Sequence, residues 1–327
     1  MELPRINSTQ AWHEFLVQAA AVPAVQKIGL VNKMRMHAYS EIEKYRGRPL
    51  IVYVSKFYDV QSNEELSNFI DLADVEGFTD LINAVDSKCK EIDVLLFSPG
   101  GRPDATERIV DLLRTRFEQV HFLVPHSAYS AATMLALSGN SITLHPSAVL
   151  GPIDPQINGI PAMSIKRGFQ KITEIIQDKG PSILPAYIPL IEKYSIELLE
   201  LCQDSEDLSK LLVADWIAKY MFKHGNPKDK QVDEIVRFVS NYEEHLMHTR
   251  PLTFSKLKDF GMPLFVAEGE FAKLLWETHL LITGFFSLTP FVKLFENPRN
   301  ISWGKMSQNF EHEQEPQELA QQSAAEA

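Results

Sequence analysis

DVLLFSPGG (Asp93–Gly101), PHSAYSAATMLALSGNSITLHP (Pro125–Pro146) and LGPIDPQ (Leu150–Gln156) decide how this chain folds. Val94 to Phe97 is an apolar run of strand character that stops at Ser98-Pro99-Gly100-Gly101. Proline removes one backbone donor, and paired glycines reach backbone angles closed to other residues. Beyond them, Ala105 to Phe117 spaces Ile109, Leu112, Leu113 and Phe117 along one side of a helix. A strand, a Gly-Gly turn and a helix leave backbone N–H groups facing open space, which suits an anion or an oxyanion. Val120 to Val124 then reads as a buried strand, and Ala131 to Leu137 as a short apolar helix of mostly small residues. Ser130 stands at that helix start and has two readings. It is an N-cap, as serine often is, or it is a nucleophile. Local spacing by itself favours the cap.

Outward from this centre the chain alternates strand and helix. Residues 1–48 form a helical arm, with Trp12, Phe15, Leu16 and Ala19 spaced for one face. Leu50 to Val54 is a strand by its β-branched content, Ser55 to Glu65 a polar loop, and Leu66 to Leu72 and Asp74 to Val85 are helices. This order predicts a layered α/β core over 49–180. Short strands follow at Ser141 to Leu144 and Ala148 to Leu150, with a turn at Asp154-Pro155, a loop over Asn158 to Ala162 and a helix over Ser164 to Lys179. The stretch 181–306 reads as helical: Ile188 to Gln203, Glu206 to Phe222, Asp229 to Asn241, a short helix from Thr253 to Phe260, and a long one over 264–286. Residues 307–327 are rich in Gln, Glu and Ala and are expected to be disordered.

With 327 residues and 45% hydrophobic content, the chain has material for one large core or two modest ones. A formal net charge of −11 excludes a general nucleic-acid surface. Its two cysteines, Cys89 and Cys202, have no metal or disulfide spacing, which suits a cytoplasmic protein. The start, MELPRINSTQAWHEF, lacks a signal-peptide pattern, and the longest apolar stretch, Leu280 to Phe295, is too broken to span a membrane. No GxGxxG follows any strand, so no dinucleotide site is expected, and no cofactor. His245 and His248 form an HxxH beside Glu243 and Glu244, but a third ligand at suitable spacing is missing, so the reading is structural.

SPGG, a helix, and then A-x-S-A-A followed by x-x-L-A-L-x-G, with Gly139 nine residues after Ser130, resemble the ClpP/crotonase superfamily. LGPIDPQ is closer to the signal peptide peptidase A clan, above all the serine dehydrogenase proteinase (SDH) family, and more distantly the protease encoded beside stomatin-like proteins. The resemblance implies a ββα spiral core, a peptide or protein substrate and a homo-oligomer. It implies that Ser130 is the nucleophile and that the N–H groups of Gly101 and Ala131 hold the oxyanion, with Pro99 and Gly100 shaping the loop. The region Ile153 to Pro155, where Clp subunits carry a histidine base, has none here. The clan instead uses a lysine, which burial can neutralise. Lys166, Lys171 and Lys179 follow at usable distances; Lys171, forty-one residues after Ser130, is favoured and Lys166 is the alternative. Asp154 either orients a base or holds the turn at the rim of the substrate site, and His126 reads as a rim residue. Two other readings stand beside a serine peptidase: an inactive scaffold of the same fold, and a crotonase-type acyl-CoA enzyme, which the serine and its following Ala-Ala-Thr weaken.

Overall fold

The computed structural model describes residues 3–57, 68–191, 195–222, 229–299 and 301–307. Helices α1 (Thr9–Gln18) and α2 (Ala24–Arg46) lead into strand β1 (Leu50–Ser55). Helix α3 (Asp74–Asn83), β2 (Glu91–Phe97), α4 (Pro103–Arg116), β3 (Gln119–Val124), β4 (Ser127–Ala128), α5 (Ala131–Leu137), β5 (Ser141–Leu144) and β6 (Val149–Leu150) follow. A small hairpin, β7 (Gln156–Ile157) and β8 (Ile160–Pro161), precedes α6 (Ala162–Lys179), α7 (Leu184–Ile191), α8 (Ile196–Trp216), α9 (Asp229–Ser240) and α10 (Tyr242–His245). The chain continues with β9 (Leu252–Thr253), α11 (Phe254–Leu257), β10 (Leu264–Val266), α12 (Gly269–Leu288), β11 (Phe291–Glu296) and β12 (Ser302–Met306).

Seven strands form the central sheet in the order β10-β5-β3-β2-β1-β11-β12. The first five are mutually parallel, β11 runs antiparallel to β1, and β12 runs antiparallel to β11. Strands β1, β2 and β3 are near-continuous apolar runs because both faces of the sheet are covered. On one face Tyr53, Val94, Leu96 and Phe122 pack with α3, α4 and α5. On the other, Val52, Leu95, Phe97 and Leu123 pack with α2 and α12. The alternation along β2, with Leu96 on one side and Leu95 and Phe97 on the other, is the period of two that a strand imposes.

The bounds expected for α5 and β5 are those observed, and α3, α4 and α9 agree to within two residues at each end. Several expectations change. In place of separate helices at Ile188 to Gln203 and Glu206 to Phe222, α8 runs unbroken from Ile196 to Trp216. Of the helix expected at Leu66 to Leu72, the first two residues lie outside the described ones, and 68–72 is not helical. There Ile70 makes a single parallel bridge with Gly101, and the Asp71 carboxylate accepts the Ala73 N–H at 2.8 Å, a local turn that competes with a helix. Within 264–286, the residues Leu264–Val266 form the sheet edge beside β5, and the helix starts only at Gly269. The C-terminal stretch expected to be helical also supplies β11 and β12, and β11 lies against β1. Its strand pattern, FVKLFE, is broken on paper by Lys293, which the fold buries completely. Of the expected tail, 307–327, all but Ser307 lies outside the described residues.

Candidate active site

The SPGG loop leaves β2 and is stitched to a neighbour on either side. On one side Ser98 bridges Ala128: the Ser98 N–H donates to Ser127 O at 3.3 Å, and the Tyr129 N–H donates to Ser98 O at 3.1 Å. On the other side the Ile70 N–H donates to Gly100 O at 2.7 Å, and the Arg102 N–H donates to Ile70 O at 2.9 Å. A parallel bridge of this kind uses the groups flanking Gly101, so the Gly101 N–H itself points away from Ile70. Among the described residues no hydrogen bond is found from the Gly101 or Ala131 amide. Gly100 (φ +99°) packs so closely on the serine turn that a Cβ there would lie 2.5 Å from Tyr129 O, 2.8 Å from Ser130 Cβ and 3.0 Å from Ala131 N. Gly101 (φ +154°) meets the Ile70 backbone in the same way, with its would-be Cβ 2.3 Å from Ile70 O. Both glycines are therefore required by close approach as well as by backbone angle.

Ser130 has φ 52° and ψ −124° and makes no side-chain capping bond to α5. The capping reading is thereby set aside. A β-carbon-bearing residue in this region costs about 1–3 kcal/mol, and such strain collects where geometry serves function. A serine held on a sharp strand-to-helix turn presents its hydroxyl outward, the same device that exposes nucleophilic serines in other hydrolase folds. Ser130 is half-buried, and α5 behind it is fully buried. The turn is held from below by Thr133, whose hydroxyl donates to Ala128 O at 2.7 Å and accepts the Gly151 N–H at 3.1 Å.

A compact charge cluster fixes the far side of the loop. Lys293 Nζ lies 2.8 Å from both oxygens of Asp74 and 3.1 Å from Asp71, and Lys305 Nζ lies 3.0 Å from each of these carboxylates. The Tyr53 hydroxyl donates to Asp74 at 2.8 Å, and the Asp71 N–H donates to the same carboxylate at 3.1 Å. Burial pushes the Lys293 amine down, and the Asp74 charge opposes that. Asp71 follows Ile70 directly, so the cluster holds the strand that brackets Gly101. The lysine contacts were not legible in the sequence, because they join residues more than 200 positions apart.

The expected bases stand elsewhere. Lys171 is exposed on α6 and lines a shallow cleft with Ser164, Arg167, Gly168, Gln170 and Glu174. Lys166 Nζ donates to Gln203 at 2.6 Å and to Glu206 at 3.2 Å, an ion pair rather than a free amine. Lys179 is exposed in the last turn of α6. Only Ala162 and Ile165 of that helix are buried, so its apolar stripe is half-covered. His126 lies where Phe97, Trp276 and His279 meet, stacked on His279 at 4.6 Å, and burial lowers its pKa.

Asp154 and His248, both singled out in the sequence but never paired there, are in contact. Asp154 Oδ1 lies 3.0 Å from His248 Nδ1; their side chains are 4% and 17% exposed. Asp154 Oδ2 is buried with no partner among the described residues. Asp154 also lines a cleft of ≈ 670 Å³ with Pro155, Met163, Glu206, Arg237 and Tyr242. His245, the other half of the HxxH, bonds Phe238 O through Nε2 at 2.6 Å. Among the described residues no group of three or more His, Cys, Asp or Glu side chains is arranged to hold a metal ion. No helix among them is long and apolar enough to cross a membrane.

A mainly parallel sheet, a Gly-Gly loop whose Gly101 amide has no partner among the described residues, and a strained serine beside it make up the candidate site. The chain belongs to the ClpP-like SDH-type serine proteinase family, whose model matches residues 5–271. Membership supports a serine peptidase in general. The chain is similar to two uncharacterized proteins of Methanocaldococcus jannaschii. One is 25% identical over 241 residues, 70% of each chain; the other is 28% identical over 201 residues, 59% of this chain and 60% of the relative. Similar solved structures include the membrane-bound stomatin-specific protease 1510-N, at 18% identity and TM-score 0.36, covering 62% of this chain and 76% of that one. ClpP1 from Listeria monocytogenes matches at 11% identity and TM-score 0.39, covering 71% of this chain and 99% of that one.

Proposed function

We propose that this protein hydrolyses peptide bonds in unfolded protein segments, with Ser130 as nucleophile and the Gly101 and Ala131 amides as the oxyanion hole. The observation that carries the reading is the backbone of Ser130, φ 52° and ψ −124°, pressed directly against Gly100. Attack by the hydroxyl turns a carbonyl oxygen into an oxyanion, and two preorganised amides aimed at that position stabilise it by several kcal/mol at most. Pro99 and Gly100 shape the loop that brings the amides there, and Asp154 closes the substrate side. The Ser-Lys form of this mechanism gives the proton to Lys171. Because that amine is solvent-exposed on α6, the form requires α6 of a second copy, or a rotation of α6, to bring it beside Ser130. The half-covered apolar stripe of α6 supports a homo-oligomer, and the free thiols of Cys89 and Cys202 support a cytoplasmic site of action.

The test pairs casein hydrolysis with labelling by a fluorophosphonate, which reacts with activated serines. Wild type is expected to cleave and to be labelled at Ser130, and Ser130→Ala to lose both, with a fall in rate of about 10³-fold or more. Labelling at another serine would overturn the assignment, and equal cleavage by Ser130→Ala would overturn the mechanism.

A further inference from the structure

The cleft beside Asp154 opens close to the serine turn. Ala128 of β4 pairs in parallel with Leu150 of β6, and the Gly151 N–H donates to Ala128 O at 2.8 Å. The Tyr129 ring lies against Gly151, where an added Cβ would be 2.0 Å from Cδ1. Ser130 follows Tyr129 directly, and Asp154 follows Gly151 by three residues, which span at most about 10 Å. Helix α8, which supplies one wall of the cleft, packs on α5, the helix that Ser130 heads. An extended substrate held at Ser130 therefore reaches the cleft within a few residues.

The walls are apolar. Met163 of α6, Leu211 and Ala214 of α8 and Val236 of α9 line a space of ≈ 670 Å³. Leu211 is 67% exposed, a large apolar side chain left uncovered beside the cleft. At depth the charge is negative. Asp154 and Glu206 both line the cleft, and their side chains are 4% and 7% exposed. Glu206 Oε2 accepts from Lys166 at 3.2 Å and lies 3.7 Å from Lys210, whereas Oε1 is buried with no partner among the described residues. Asp154 is alike: His248 occupies Oδ1, and Oδ2 has no partner there. A buried carboxylate oxygen without a donor is costly, and two of them on one cleft leave a place for a donor from outside the chain. At the rim, the exposed Asp233 and Glu243 offset Lys210 and the exposed Arg237, which leaves the sign of the cleft to its buried carboxylates.

Apolar walls over a carboxylate suit a long aliphatic stem that ends in a cation. We infer that this cleft is a specificity pocket for a lysine or arginine side chain of the substrate, with Glu206 selecting its charge. The inference rests on the serine peptidase reading and names the substrate class of that site. The stem lies along Met163, Leu211 and Val236, as the methylenes of such side chains do on apolar surfaces. Its head group donates to Glu206 Oε1. The terminal torsion of a glutamate is soft, so the carboxylate turns Oε1 to a donor in the cleft while Lys166 follows Oε2. An acidic side chain would meet two buried carboxylates, and an apolar one would leave both oxygens without a donor.

The experiment uses the full chain and peptides that carry lysine, norleucine or glutamate at one position, moved stepwise along a neutral sequence. It measures kcat/KM, and it measures binding of the same peptides to Ser130→Ala by fluorescence anisotropy. Norleucine keeps the stem and lacks the charge. At one peptide position lysine is expected to be preferred over norleucine by about 10-fold or more in both readings, the scale of a hydrogen bond to a charged group. Glu206→Gln is expected to bring that ratio close to one. Glu270→Gln, the same charge change on an exposed residue of α12, is expected to keep the wild-type ratio. Equal handling of lysine and norleucine, or a preference for glutamate, overturns the inference. A ratio that falls as far in Glu270→Gln as in Glu206→Gln overturns it in favour of overall charge. Equal losses on lysine and norleucine peptides in Glu206→Gln, with a lowered urea midpoint, overturn it in favour of a structural Glu206–Lys166 pair. Absence of hydrolysis and of fluorophosphonate labelling at Ser130 in wild type fails the serine peptidase reading, and binding then decides the pocket by itself. Lysine-selective binding that Glu206→Gln abolishes supports it, and unselective binding overturns it.

Discussion

Lys293 on β11 and Lys171 on α6 have opposite fates. The first is completely buried among Asp74, Asp71 and Tyr53, on the strand beside β1. The second stands in solvent on a helix with two buried residues. Clan logic asks for a buried lysine next to a serine, and the protein does bury a lysine, but it spends that amine on holding the segment behind Gly101. Burial lowers the pKa of this lysine, and the Asp74 charge opposes that shift without cancelling it. The core lysine is thus a fastener for the segment that brackets Gly101, while the exposed one contributes little to the folded chain.

Four measurements sharpen or break that contrast. The largest effect is expected from Lys293→Met, which leaves Asp74 buried with Lys305 as its remaining cation; stability in urea should fall by about 3 kcal/mol, the lower end for a broken buried pair. Retention of full stability would mean that Lys305 alone neutralises the cluster. Gly100→Ala comes next. Its Cβ would collide with Tyr129 O and Ser130 Cβ, and a left-handed angle forced on alanine adds about 1–2 kcal/mol. Hydrolysis should drop by more than the lost folded fraction explains, read from kcat normalised to folded protein.

A third effect depends on pH. Burial, then the charges of His126 and His145, hold His279 down to about 3. Unfolded histidine titrates near 6.5, so the folded form resists a proton that the unfolded form accepts. This stability is fully present above about pH 6.5 and is lost as pH falls toward about 3, at roughly 1.4 kcal/mol per pH unit. His279→Gln should flatten that part of an acid unfolding series; an unchanged acid limb would assign it to other groups. The smallest effect belongs to Lys171→Ala, for which urea midpoints should stay within about 0.5 kcal/mol of wild type, as for most exposed positions. A larger loss would show that α6 is covered in solution.

Much of the central machinery was legible. The apolar helix Ala131–Leu137, the strand Ser141–Leu144 and the Gly-Gly turn follow from periodicity and from backbone chemistry that acts over a few residues. The sequence also marked Ser130, Asp154 and His248 separately. It missed the strand at Phe291–Glu296 because Lys293 interrupts the apolar pattern, and it placed a helix where Ile70 bridges Gly101. Nothing within a dozen residues of Ile70 announces that bridge; its partner lies on the next strand-turn unit. The pairing of Asp154 with His248 spans 94 residues and appears only when β6 and β9 come together.

What the sequence by itself determined is the set of local units: strands that stop at glycine pairs, a serine at the head of a small-residue helix, and an α/β alternation that requires a covered sheet. These depend on allowed backbone angles and on which residues avoid water, and neighbours in the chain suffice to set them. Only the tertiary structure decided that Ser130 is strained rather than capping, that one lysine is buried and another is not, and that a carboxylate and an imidazole meet at the end of β6. Burial, charge pairing and close approach are properties of residues brought together from distant parts of the chain, and no local pattern encodes them.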